Sequence, residues 1–256
     1  MSKIASAFEK GKAFIPFITC GYPTMETTYD CVLEMIKNGA ALIELGIPFS
    51  DPTAEGPVIQ GANEVALKNG ATTDKVFELV GRLREVTDIP LCFMTYANVV
   101  FSYGSDRFLK KCGELGIDGV ILPDVPFEEK AEFDEVAAKY DVDMISLIAP
   151  TSENRIAMIA KEAKGFIYVV SSLGVTGVRS EIKTDLESIV RTIRENSKVP
   201  CAIGFGISKP EQAAKMSRIS DGAIVGSAII KIITEHGEDS PKYVGEYIKS
   251  MTEAMK

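Results

Sequence analysis

Eight short apolar runs punctuate this chain, and each is followed by a stretch whose apolar residues recur at helical spacing. The runs read as strands over residues 13–19, 40–45, 90–96, 118–123, 144–149, 166–171, 201–203 and 223–225. They are nearly continuous rather than alternating, the pattern of parallel strands covered by helices. Between them, Tyr29, Val32, Leu33 and Ile36 mark one helical face, closed by Asn38-Gly39. Further helices read over 58–69, 76–86, 105–113, 128–140, 151–163 and 228–235. Thr184-Asp185-Leu186-Glu187 and Ser208-Lys209-Pro210-Glu211 read as capping boxes opening two more. Eight such units in about 240 residues is the arithmetic of a closed (β/α)8 barrel, the TIM-barrel architecture. The expectation is therefore one α/β domain over residues 1–256. A short helix at 3–10 would precede the barrel and an extra amphipathic helix at 239–256 would follow it. An open doubly wound sheet would carry G-x-G-x-x-G after its first strand. This chain has Thr19-Cys20-Gly21-Tyr22-Pro23 there. Pro16 should make the first strand less regular than the others.

Composition removes several classes of function. A net charge of −8 with no basic cluster speaks against nucleic acid. No apolar run approaches the ~18 residues of a membrane span, and the N-terminus lacks a signal-peptide core. Five widely spaced cysteines with no CxxC pair read as buried, reduced thiols of a cytoplasmic protein. The single histidine, His236, lies near the C-terminus, so a histidine metal site or a Ser-His-Asp triad is not expected, and no metal is.

Barrel enzymes work at the C-terminal ends of their strands. There the second strand brings Glu44, and the Pro/Gly-rich loop behind it brings Glu55. Two carboxylates from one strand end and its loop suit acid–base chemistry on one substrate. Glycines after the last three strands (Gly174 and Gly177, Gly204 and Gly206, Gly226), with Ser227 opening a helix, read as a phosphate clamp of backbone N–H groups. Phe17, Tyr96, Ile148 and Phe205 would line the mouth. No lysine falls in a strand, which disfavours Schiff-base chemistry, and Cys20 or Cys92 as nucleophile would lack a base.

Pro16-Phe17-Ile18-Thr19, the stretch from Glu44 to Pro52, Gly174-Val175-Thr176-Gly177, Gly204 to Ser208 and Gly226-Ser227-Ala228 together resemble the alpha subunit of tryptophan synthase, along essentially the whole chain. The resemblance implies cleavage of indole-3-glycerol phosphate to indole and glyceraldehyde 3-phosphate, a retro-aldol lyase reaction without cofactor. It further implies a beta subunit as partner in an α2β2 heterotetramer that receives the indole. It assigns catalysis to Glu44, Glu55 and Tyr168. Indole contacts would fall on Phe17, Ile59, Tyr96, Ile148, Thr176, Phe205 and Ile224, and phosphate contacts on Gly177, Gly206, Gly226 and Ser227. Leu45, Phe93, Ile121 and Tyr168 are the expected lining that keeps Glu44 protonated near neutral pH. The chain departs from the family pattern at Glu55, where an aspartate is expected, at Thr53, where an apolar residue is, and at Ser172, where an arginine is common. Another phosphate-binding barrel, such as an isomerase or indole-glycerol-phosphate synthase, and a non-catalytic activating subunit are the alternative readings.

Overall fold

The computed structural model describes residues 3–171, 185–204 and 206–256. Its strands are β1 (Ala13–Thr19), β2 (Ile43–Gly46), β3 (Leu91–Met94), β4 (Gly119–Ile121), β5 (Asp143–Met144), β6 (Ser146–Ile148), β7 (Ile167–Val170), β8 (Cys201–Gly204) and β9 (Gly222–Val225). All pair in parallel, in the order β5-β4-β3-β2-β1-β9-β8-β7-β6. The two ends of that order are consecutive in the chain, separated only by Ile145. The predicted fifth strand is thus two pieces that serve different neighbours. Asp143 and Met144 pair with β4, and Ile145 N continues that ladder to Val120 O at 2.9 Å, whereas Ser146 to Ile148 pair with β7. The barrel closes at this change of partner.

Pro16 does not interrupt β1, contrary to expectation. The strand's partners run from Ala13 to Pro16 with β9 and from Phe17 to Thr19 with β2. Proline, lacking an N–H to donate, sits at this handover.

The helical ring departs from the sequence reading in four places. A helix over Ala97–Tyr103 precedes the expected one, which runs Ser105–Glu114. The stretch Ala-Asn-Val-Val-Phe-Ser-Tyr has little intrinsic helical preference, but Ala97 N donates to both carboxylate oxygens of Asp124, at 3.2 and 3.1 Å, which anchors its first turn. The predicted helix 128–140 is a 3-10 turn, the helix Ala131–Ala137 and a second 3-10 turn, ended by Asp141 at φ 56°. Helix Leu186–Asn196 is capped by Asp185, which accepts from Ser188 N at 3.0 Å, while Thr184 lies outside the described residues. In helix Pro210–Ile219 the reciprocal cap comes from Gln212, not Glu211. Gln212 Oε1 accepts from Ser208 N at 2.9 Å and Lys209 N at 3.1 Å.

Both terminal additions seal the barrel. The N-terminal helix is only Ser6–Glu9, but Ile4 before it is fully buried. Its Cδ1 occupies the space a side chain at Gly119 or Gly165 would need, at 3.0 and 2.9 Å from the Cβ positions, so it plugs the N-terminal opening. The C-terminal helix Ser240–Ala254 lies against helix Met25–Lys37 so closely that a Cβ at Gly245 would fall 2.8 Å from Glu34 Oε2. No described helix is long and apolar enough to cross a membrane.

Candidate active site

Glu44 lies in register with Phe17 on β1 and Cys92 on β3, and these side chains share the inner face of the barrel. Its exposure is 0%, and among the described residues neither carboxylate oxygen has a hydrogen-bond partner. Burial alone pushes its pKa up to about 8, because the charged form loses hydration that nothing replaces. Tyr168 on β7 is also buried, and burial together with the charge of Glu44 raises its phenol well above the ordinary value. The Tyr168 side chain reaches over β8, where a Cβ on Gly204 would sit 2.5 Å from the phenolic oxygen. Glycine at 204 is what lets that ring cross the barrel. Phe17 does the same over β2, its ring 2.6 Å from where a Cβ of Gly46 would be, and it also borders Gly226.

The expected lining of Glu44 is only partly correct. Leu45 and Phe93 are the next register pair, on the opposite face of the sheet. Phe93 packs outward on Phe77 and Phe108, with ring centroids 5.5 and 6.0 Å away. A strand alternates sides at every residue, so neighbours of Glu44 in sequence point away from it. Phe17, Cys92 and Tyr168 surround it, and Ile121 shares the inner face one layer closer to the mouth. Cys92 was overlooked as lining, although the period of two could have placed it.

Glu55 is 5% exposed and held differently. Asn63 Nδ2 donates to its Oε2 at 2.6 Å, and Gln60 Nε2 donates to its backbone oxygen at 2.7 Å. The Tyr96 hydroxyl bonds to the same carboxylate and accepts from Ala54 N at 3.2 Å. Burial pushes the Glu55 pKa up to about 7, against the opposing pull of Asn63 and Tyr96. Helix Pro57–Lys68 supplies both amide side chains directly behind the loop, with Gly56 as its N-cap and proline in its first turn. Asn63 and Gln60 went unnoticed in the sequence. A signal existed: Asn63 is the polar member of an otherwise apolar buried stripe of Ile59, Ala62 and Ala66.

The other described positions fall on the strands and loops of the same barrel end. Ile59 and Tyr96 are buried beside the Glu55 loop, and the Tyr96 ring lies 5.2 Å from that of Phe49. Ile224 pairs with Ile15 on the inner face, and Ile148 ends β6 in register with Val169. Gly206 has φ +81°, a conformation that favours glycine, just past the end of β8. Gly226 caps helix Ser227–His236, whose first N–H groups point toward the rim. Thr176, Gly177 and Phe205 lie outside the described residues, as does Ser172. A cavity of about 560 Å³, lined by Ala54, Leu122, Phe127, Ala149 and Val170 among others, opens beside this rim. Its lining includes neither Glu44 nor Tyr168.

The family model described as tryptophan synthase alpha chain matches residues 4–256. The chain belongs to the tryptophan synthase alpha chain family. It is 47% identical to the tryptophan synthase alpha chain of Lacticaseibacillus casei, covering 100% of this chain and 96% of that one. The Alkaliphilus metalliredigens alpha chain is 49% identical, covering 94% and 92%. Among solved structures, subunit alpha from Legionella pneumophila superposes with a TM-score of 0.91 at 37% identity, covering 100% and 98%. The tryptophan synthase a2b2 complex of Pyrococcus furiosus gives 0.86 at 32%, covering 95% and 99%. As a member of this family the chain is a carbon–carbon lyase of tryptophan biosynthesis, cleaving indole-3-glycerol phosphate to indole and glyceraldehyde 3-phosphate.

Proposed function

We propose that Glu44 is the general acid and base of this cleavage, that Glu55 is its electrostatic partner, and that Tyr168 borders the reacting atoms. The observation that carries the reading is Glu44 itself, a fully buried carboxyl with two unpartnered oxygens and a pKa near 8. A carboxylic acid that is neutral at pH 7 has a proton to give. Glu44 donates it to C3 of the indole ring, which places positive charge on the ring N–H. The ionised Glu55 carboxylate lies against that N–H and stabilises the charge as it develops. Glu44, now ionised, removes the proton from the hydroxyl on the side-chain carbon bonded to C3. That carbon becomes the aldehyde, the C–C bond breaks, and its electron pair returns to the ring to restore neutral indole. Glu44 ends the cycle protonated, as it began.

Phosphate binding at Gly206, Gly226, Ser227 and Gly177 would fix the far end of the substrate. Phe17, Ile59, Tyr96, Ile148, Thr176, Phe205 and Ile224 would hold the ring. Binding away from the reacting carbon orients it without adding a charged group there. Residues 1–256 would act as one barrel domain in the cytoplasm, a compartment that suits five free, buried cysteines. The partner we infer is a beta subunit in an α2β2 assembly, as named for the Pyrococcus furiosus relative. Phe101, 46% exposed on helix Ala97–Tyr103 and tilted against Phe133 with ring centroids 5.1 Å apart, would offer an apolar contact there.

The test is indole release from indole-3-glycerol phosphate by the purified chain, alone and with a beta subunit. Release that rises when the partner is added is the expected result. Binding of a phosphate ligand without release in either condition would overturn the catalytic roles.

A further inference from the structure

The carboxylate of Glu55 is fixed by the helix that follows its loop. We propose that Asn63 is the positioning residue for Glu55, its side-chain amide holding the loop carboxylate in the orientation that meets the substrate ring. The proposal rests on the role given to Glu55 above and extends it to a residue that does not itself touch substrate.

Three observations support it. The Asn63 Nδ2 to Glu55 Oε2 distance of 2.6 Å is that of a short, charge-assisted hydrogen bond. Asn63 is buried on a helical face otherwise made of Ile59, Ala62 and Ala66. Asparagine is a poorer helix former than alanine or leucine, and a buried amide is costly without a partner. Packing alone would therefore favour an apolar residue at 63, and the carboxylate explains the amide. Finally, Gln60 on the same helix grips the Glu55 backbone oxygen at 2.7 Å. Side chain and main chain of Glu55 are thus tied to one rigid element, although Glu55 itself belongs to a loop.

Among the described residues the titratable group facing Glu55 is Tyr96, and beyond it stands Asp124, whose charge acts on the Tyr96 phenol. Among the described residues no lysine or arginine contributes at Glu55, so the anion depends on the Asn63 amide and the Tyr96 hydroxyl. Removing the amide weakens the ionised form specifically.

The experiment is the pH profile of kcat/KM for indole release in Asn63→Ala, Asn63→Leu and Asn63→Asp, each also in a Glu55→Gln background. In Asn63→Ala and Asn63→Leu the acid limb moves to higher pH, with a fall of about ten- to a hundredfold at pH 7, the effect of one lost hydrogen bond to a charged group. Asn63→Asp moves the limb further, because a second carboxylate there disfavours ionisation of the first. In Glu55→Gln the residual activity has no such limb, and adding Asn63→Ala changes it little. A uniform loss at every pH with the limb unmoved would show that Asn63 only supports the fold, and would overturn the proposal. Wild-type turnover by Glu55→Gln would overturn the role of Glu55 itself. A dead Glu55→Gln beside an unshifted Asn63→Ala would overturn the positioning role alone.

Discussion

Asp118 at the N-terminal rim of the barrel and Glu44 inside it, below the C-terminal rim, are both buried carboxylates, 5% and 0% exposed. Asp118 is saturated with donors. It accepts from Lys3 N at 2.7 Å, Leu91 N at 3.1 Å and Arg84 Nη2 at 3.3 Å. Arg84 in turn donates to Ile89 O and Gly116 O, both at 2.6 Å. This network ties the N-terminal segment, the start of β3 and the start of β4 together. Glu44 has no such partner among the described residues. Each carboxylate loses hydration on burial, but only at Asp118 do hydrogen bonds offset the cost. One end of the barrel spends its polar groups on stability, and the other leaves a buried carboxyl without hydrogen bonds, which fits the division expected between the two faces of this fold.

The largest expected effect comes from removing the carboxyl proposed as acid and base. Glu44→Gln should lower kcat by about a thousandfold, within the range general acid–base catalysis supplies, while leaving phosphate-ligand binding close to wild type. The same change should stabilise the protein. The folded pKa of about 8 lies above the ordinary glutamate value of 4.5, so folded Glu44 retains a proton that the unfolded chain releases. Folding is therefore penalised increasingly as pH rises from 4.5, and the penalty levels off above 8. At pH 7 it is on the order of 3 kcal/mol. Thermal melts of both proteins from pH 5 to 9 should show the advantage of the variant growing with pH and then flattening. A variant less stable than wild type at pH 8 would contradict the account of Glu44 as a strained buried acid.

Asp118→Ala tests the other end. It leaves the partly buried Arg84 without its ion-pair partner and two backbone N–H groups without an acceptor, a loss of about 3 kcal/mol, at the low end for broken buried pairs because Arg84 keeps part of its hydration. Urea denaturation should report it, while kcat of the folded fraction stays near wild type. A large fall in kcat with little change in stability would erase the distinction between the two faces.

These two residues also show what sequence can and cannot reveal. Glu44 is conspicuous because a carboxylate closing an apolar run has no reason to be there for packing. Asp118 also borders an apolar run, yet nothing local says that its donors come from residues 3, 84 and 91. The eight apolar runs disclosed the barrel because parallel strands need continuous apolar faces. The break at Ile145 was hidden because it depends on which neighbour each half of the strand meets. Helix Ala97–Tyr103 was hidden for a related reason, since Asp124, distant in sequence, anchors its first turn. Asn63 is an intermediate case: its helix was legible, but its partner lies across a turn whose course the sequence does not describe.

The two carboxylates of the active site should set a narrow pH window. In the proposed mechanism Glu55 acts ionised, so activity should fall below its pKa of about 7, and Glu44 acts protonated, so activity should fall above about 8. The profile of kcat/KM should be a bell between these values, dropping by about tenfold per pH unit on either side. A flat profile from pH 6 to 9 would remove the assignment of one acid and one base. Asp118→Ala should leave both limbs in place, which separates the two faces by a measurement independent of stability.

The smallest effect sharpens the comparison within a single residue. Lys3 touches the N-terminal face twice, through its backbone N–H to Asp118 and through its ammonium to Asp88 at 2.7 Å. The first contact is buried at its acceptor, whereas the second joins side chains that are 51% and 92% exposed. An exposed pair has its attraction screened by water and restricts two long side chains, and so contributes less than about 1 kcal/mol. Lys3→Ala removes only that pair, because alanine keeps the backbone donor. Its stability should therefore stay within about 1 kcal/mol of wild type, and activity should not change. Deleting residues 1–3 removes the donor to Asp118 as well, and should cost distinctly more. Equal losses from the two changes would mean that the backbone bond to Asp118 adds little, and that the N-terminal face is held chiefly by the Ile4 plug.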